Sequence, residues 1–163
     1  MSKFPFFINL PKTDIFIETG TGQADSSKEA LKFYKKVYTI DIDNRNKFSN
    51  ENFLFFNEDS RTALPEILKN IKERSTFWLD AHPNNHDVNT WPLLSEIDII
   101  CTHFIKDHNI LIDDADIVIN SGKMMFIIER LAKNNPKYRE NLKMLSQIRA
   151  LDTLVATTEN VII

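Results

Sequence analysis

Short apolar runs alternate with longer amphipathic ones along most of this chain. Residues 14–18, 37–41, 53–56, 76–80 and 109–113 are β-branched or aromatic runs bounded by polar residues, which predicts five strands. Between them apolar residues recur at helical spacing. Ser26 to Lys36 places Ala30, Leu31 and Tyr34 on one face, and Ser26 with Glu29 has the spacing of a capping box. Leu64, Ile67, Leu68 and Ile71 mark a second helix, and Leu93, Ile97, Ile100 and Phe104 a third. Later the pattern predicts helices over 123–133 and 136–150, the latter with Asn135 as cap and Pro136 at its first position. Strands over 151–156 and 160–163, joined by a tight turn, would close the chain as an antiparallel hairpin.

Strands alternating with helices imply right-handed βαβ units, a mostly parallel sheet and helices on both faces. A length of 163 residues fits one domain over 1–163, with 1–13 as an N-terminal arm. A net charge of −3 lacks the basic excess of a nucleic-acid binder. One cysteine excludes a disulfide scaffold, no run is long enough to span a membrane, and the start lacks the form of a signal peptide. The expected compartment is the cytoplasm, and a homodimer is held open.

Average usage would give about eleven glycines in this length, yet there are 3, two of which are Gly20 and Gly22. In an α/β sheet, ligands bind outside the carboxyl ends of the strands. Acids stand at those ends here: Glu18, Asp41 with Asp43, Asp59, Asp80, and Asp113 with Asp114. Any one could be a turn or cap residue; the row as a whole, beside the paired glycines, marks a ligand crevice. A dinucleotide fingerprint would need a third glycine where Asp25 stands, against a pyrophosphate. A ligand without phosphate fits better, and a helix-cap role for Asp25 stays open.

Phe16-Ile17-Glu18-Thr19-Gly20-Thr21-Gly22 resembles the first motif of the class I S-adenosylmethionine-dependent methyltransferases, with Ala24 in place of the usual third glycine. Tyr38-Thr39-Ile40-Asp41 resembles the second-strand motif, Asn57-Glu58-Asp59-Ser60 the adenine segment, and Phe77-Trp78-Leu79-Asp80-Ala81-His82 the fourth-strand motif beside the transferred methyl group. Asn109 to Ala115 is similar to the fifth-strand segment. The resemblance covers residues 14–116 and implies a Rossmann-like three-layer sandwich that binds S-adenosylmethionine. It implies donor contacts from Glu18, Thr19, Gly20, Gly22, Asp25, Asp41, Ile42, Asp59, Ser60 and Asp80, with Asp41 on the ribose hydroxyls and Glu18 near the ammonium.

Asp80 and His82 are the catalytic candidates, because a neutral imidazole at the crevice mouth could take a proton from an acceptor hydroxyl. A loop histidine without a role is the alternative. His103 and His108 read as surface residues and His86 as an exposed loop residue. Methyltransferases acting on catechol-like diols hold a magnesium ion at positions matching Asp80, Asp113 and Asp114, so Mg²⁺ is a candidate here, against the alternative of polar strand ends without an ion. The expected function is methyl transfer to an oxygen or nitrogen of a small hydroxylated molecule or sugar, with residues 83–92, 1–13 and 115–135 shaping the acceptor side and Trp91 a candidate wall. A donor-binding protein of the same fold without transfer activity is the alternative.

Overall fold

β1 (Ile15–Thr19), β4 (Ser75–Leu79) and β5 (Asn109–Ile112) are buried along their whole length, as central strands of a parallel sheet covered on both faces must be. The computed structural model describes residues 4–6, 9–83, 85, 87–146 and 152–161. With β2 (Lys36–Ile40), β3 (Phe53–Phe56), β6 (Lys143–Ser146) and β7 (Asp152–Ala156) they form one seven-stranded sheet in the order β3-β2-β1-β4-β5-β7-β6. β3, β2, β1, β4 and β5 run parallel, and β7 is antiparallel to both β5 and β6. The chain winds outward from β1 in one direction and from β4 in the other. The carboxyl ends of β1 and β4 therefore flank the switch point where such sheets bind ligands.

The two faces are covered unequally. On one, α2 (Ser60–Asn70), α3 (Leu93–Thr102), α4 (Ala115–Asn120), α5 (Met124–Asn134) and α6 (Lys137–Glu140) bury Ile17, Ile40, Phe77, Ile110 and Ile112 under Leu64, Ile67, Ile97, Ile127 and Leu131. On the other, among the described residues, α1 (Asp25–Ala30), the N-terminal arm, and Leu31, Tyr34 and Phe48 of the connecting segments pack over Phe16, Val37, Trp78, Leu111 and Val155. Phe4 sets its ring edge-on against Phe16 at 5.0 Å and Trp78 at 5.3 Å, which places this part of the arm in the core rather than at an acceptor pocket.

Several expectations are corrected. The first helix ends at Ala30 because Lys35 and Lys36 donate to the Asp14 carbonyl and enter β2. Its N-cap is Ala24, in a left-handed conformation, so the Ser26–Glu29 capping box does not form. In the stretch expected as one helix over 136–150, Lys137–Glu140 forms α6 and Lys143–Ser146 forms β6, so the strand expected over 151–156 is present as β7 but its hairpin partner is β6. Residues 147–151 and 162–163, with part of that helix and of the strand expected over 160–163, lie outside the described residues. Leu142 and Leu145 stand at a helical spacing, yet they pack into the cores on opposite faces of the sheet, as residues three apart in extended chain do. His103 and His108 are buried rather than exposed. Ser75 N–H donates to His108 Nδ1 at 3.1 Å, which leaves the His108 proton on Nε2. That proton faces His103 Nδ1 at 2.9 Å, and His103 Nε2 in turn donates to the Ile71 carbonyl at 3.2 Å. Two neutral imidazoles thus form a directed chain below β4 and β5. His86 lies outside the described residues.

Candidate active site

Beyond β1 the chain must turn sharply, and the two glycines make the turn with φ of 86° at Gly20 and 50° at Gly22. A Cβ on Gly20 would lie 2.3 Å from the Asp80 carbonyl oxygen, whereas one on Gly22 would meet open space. The loop is tied to β2: Gly20 N–H donates to the Ile40 carbonyl at 2.8 Å, and Gly22 N–H donates to Asp41 Oδ2 at 2.8 Å. Asp41 Oδ1 accepts Asp43 N–H at 2.9 Å. A carboxylate offers about four acceptor positions, so each oxygen keeps one for a hydroxyl.

A cavity of about 570 Å³ opens over this loop. Gly20, Gly22, Asp41, Ile42, Asp59, Ser60, Asp80 and His82 all contribute to its wall, as do Asp43, Glu58, Pro83, Thr90 and Pro92. Ile42 is 72% exposed beside Asp41, an unusual place for a bare aliphatic side chain. Asp59 caps α2, accepting Arg61 N–H at 2.8 Å, and Arg61 Nε and Nη2 hold its two oxygens at 2.9 and 2.5 Å. That guanidinium keeps the Asp59 carboxyl below the usual carboxylate range. The acids outnumber the cations, and Arg45 and Arg61 are each engaged with an aspartate, Asp43 and Asp59.

The remaining expected residues stand outside the cavity wall. Glu18 is 2% exposed behind the loop, where its carboxyl accepts from the Ser27 hydroxyl and from Thr39 Oγ1 at 2.9 Å. Burial pushes its pKa up to about 8 against the pull of those hydroxyls. Thr19 is fully buried and Asp25 lies on α1, 4.0 Å from the Lys28 ammonium. Asp113 is buried at the end of β5.

Asp114, with φ of 48°, begins α4 without capping it by its side chain. Its Oδ2 lies 2.9 Å from His82 Nε2, and Asp80 Oδ1 lies 3.5 Å from the same nitrogen. The His82 ring stacks on Trp91 at 4.4 Å, and Trp91 Nε1 donates to the Asn85 carbonyl at 3.3 Å. The Asp114 and Asp80 carboxylates push the imidazole pKa up to about 10. His82 is therefore protonated at neutral pH, and the neutral base expected from the sequence is not its resting form. Asp80, His82 and Asp114 bring their ligand atoms within 4.8 Å of one another, so His82 takes the place in this group that the sequence suggested for Asp113.

Sequence reading missed Glu96. It is fully buried in α3, facing Ser60 and Thr19. One polar residue on an apolar helix stripe was the only available signal.

Among solved structures, the chain is similar to a candidate methyltransferase from Streptococcus mutans in complex with SAH, at 18% identity over 91% of this chain and 90% of that one, with a TM-score of 0.52. Human methyltransferase-like protein 13, also in complex with SAH, matches at 11% identity over 88% of this chain and 71% of that one, with a TM-score of 0.60. Spermidine synthase from Thermotoga maritima matches at 12% identity over 91% of this chain and 55% of that one, with a TM-score of 0.60. No family model and no curated protein matches the sequence. Among the described residues, no helix is long and apolar enough to cross a membrane. The sheet order, the antiparallel β7 and these likenesses give the chain the fold of the class I S-adenosylmethionine-dependent methyltransferases.

Proposed function

We propose that the protein transfers a methyl group from S-adenosylmethionine to an oxygen or nitrogen of a small hydroxylated molecule or sugar. The observation that carries this reading is Asp41: its carboxylate is fixed by Gly22 N–H and Asp43 N–H, with one acceptor position free on each oxygen at the wall of the cavity. That arrangement fits a vicinal diol such as a ribose. Ile42 supplies an apolar surface for the adenine, with Asp59 and Ser60 at its edge. Gly20 and Gly22 would hold the methionine end, with Asp80 available to its ammonium and Glu18 buried behind the loop. When bound, the donor supplies a methyl carbon made electrophilic by a sulfonium. The protein's share is to align the acceptor with that carbon and exclude water. Pro83, Thr90 and Pro92 border the acceptor side. The acid-rich wall disfavours a polyanion such as a nucleic acid. Without an acceptor that fits, the same cavity would serve a donor-binding protein, and a methyl-transfer screen separates the two.

Asp41→Ala removes hydrogen bonds to a charged acceptor, each contributing roughly 1.5–3 kcal/mol. With two such bonds lost, SAH affinity measured by calorimetry should fall by about two to four decades. Unchanged affinity in folded Asp41→Ala protein would place the donor elsewhere.

We further propose a divalent cation beside the acceptor. Two carboxylates and an imidazole within 4.8 Å of one another are a fitting donor set. Asp80, Asp114 and His82 would hold the ion, which must displace the proton on His82; Mg²⁺ prefers all-oxygen ligands, so the imidazole shifts the expectation towards Mn²⁺. A bound ion would polarise an acceptor hydroxyl. At 100 times its dissociation constant, an ion stabilises by about 2.7 kcal/mol. Melting with Mn²⁺ or Mg²⁺ should show that gain, and Asp114→Ala should abolish it; no gain with either ion removes the metal.

A further inference from the structure

Thr19 ends β1 immediately before Gly20, and Ser60 begins α2 at the cavity wall. These two segments flank the site from opposite sides. Between them, Glu96 enters from the first turn of α3 and is fully buried. Both of its carboxyl oxygens, the Thr19 hydroxyl and the Ser60 hydroxyl are shielded from solvent without a close, well-aligned hydrogen bond. The two hydroxyls are nevertheless near enough to oppose the effect of burial on the carboxyl. Buried polar groups left slack in a native protein call for a reason.

We infer that Glu96 is a positioning residue for the donor site: its carboxyl links Thr19 and Ser60, setting the glycine turn and the head of α2 at the separation the adenosine half requires. This rests on the proposed donor reading. The three groups are buried together without a close hydrogen bond among them, so a ligand spanning Gly20 and Ser60 would gain from drawing them together. Burial pushes Glu96 up to about 7, with Asp59 raising it and Arg61 lowering it as the charged groups facing it from α2. The carboxyl accordingly retains a proton in much of the population at neutral pH, and can donate to one hydroxyl while accepting from the other. α3 begins directly after Pro92 of the cavity wall, so the same residue ties the acceptor loop to the donor side.

The experiment compares SAH affinity and ligand-free melting temperature in the wild type, Glu96→Leu, Glu96→Gln and Thr19→Val. Leucine fills the space without hydrogen bonding, so a merely structural acid would leave affinity unchanged while stability holds or rises. A positioning acid instead predicts SAH binding weakened about tenfold in Glu96→Leu, with Glu96→Gln within about threefold of wild type because an amide also donates and accepts. Thr19→Val, fully buried and out of the cavity, should weaken binding in the same direction even where Glu96→Leu fails to fold. Unchanged affinity in Glu96→Leu or in Thr19→Val, or equal losses in the Gln and Leu variants, overturns the inference while leaving the donor reading intact. A wild type that does not bind SAH ends both.

Discussion

Gly20 is held to glycine by more than the close ligand approach its sequence context suggests. Two glycines in a chain that otherwise nearly avoids them pointed to a backbone that a ligand must approach closely. The structure adds a constraint within the chain: the missing Cβ makes room for the Asp80 carbonyl, which a side chain would meet at 2.3 Å. Gly22 has a positive φ of 50° but open space around it. Gly22→Ala should therefore lose only the roughly 1–2 kcal/mol of a left-handed non-glycine residue. Gly20→Ala must bear a similar strain and also part β1 from β4. Urea midpoints should rank wild type above Gly22→Ala and Gly22→Ala well above Gly20→Ala; equal losses would mean the loop relaxes freely. Asp41 and Gly22 were legible because strand, turn and acid lie in one local pattern. Glu96, His103 and His108 were not, because burial on a helix or at a strand start depends on which distant segment packs above.

At the scale of elements, β1, β4 and β5 were legible because a strand buried on both faces is a continuous apolar run, and edge strand β3 because its four residues are all apolar. β6 was not. It pairs with β7 alone, and half-exposed Met144 and buried Leu145 leave no strong period to read. Nothing in the pattern signals that, among the described residues, the six-residue α1 is the helix on one sheet face, so that the arm expected at an acceptor pocket serves as packing. Phe4 does that work with its ring, 5% exposed, on Phe16 and Trp78. Truncating a buried Phe costs about 3–5 kcal/mol in a well-packed site, and an arm that can partly recoil should sit at the low end. Phe4→Ala is expected to lower the urea midpoint by an amount equivalent to about 3 kcal/mol while leaving SAH affinity unchanged. A loss of affinity at unchanged stability would move the arm back to the ligand side.

Taken over the whole molecule, the buried titratable groups pull stability in opposite directions with pH. Burial lowers the pKa of His103, and lowers that of His108 to about 3. Below an unfolded value of 6.5 the unfolded chain takes up protons that the folded pair refuses, so stability falls as pH falls towards the folded values. Glu18 and Glu96 behave in the reverse way, raised by burial from 4.5 to about 8 and about 7. Their contribution is fully present below 4.5 and is lost as pH rises through those folded values. His82, raised by Asp114 and Asp80 from 6.5 to about 10, adds a loss between those two values. Each group contributes a slope of at most about 1.4 kcal/mol per pH unit. Between 4.5 and 6.5 the histidine pair and the two glutamates oppose one another, and the slopes largely cancel. Below that window the histidines act against folding alone, and above it Glu18, Glu96 and His82 act together. Urea midpoints of the ligand-free protein should therefore form a mildly acidic plateau that falls away on both sides. His108→Gln should flatten the acid side, because an amide has no proton to gain, and Glu96→Gln should soften the alkaline side. A maximum above pH 8 would show that the alkaline groups do not hold their protons in the folded chain. An acid limb unchanged in His108→Gln would show that the imidazole pair is not what acid attacks.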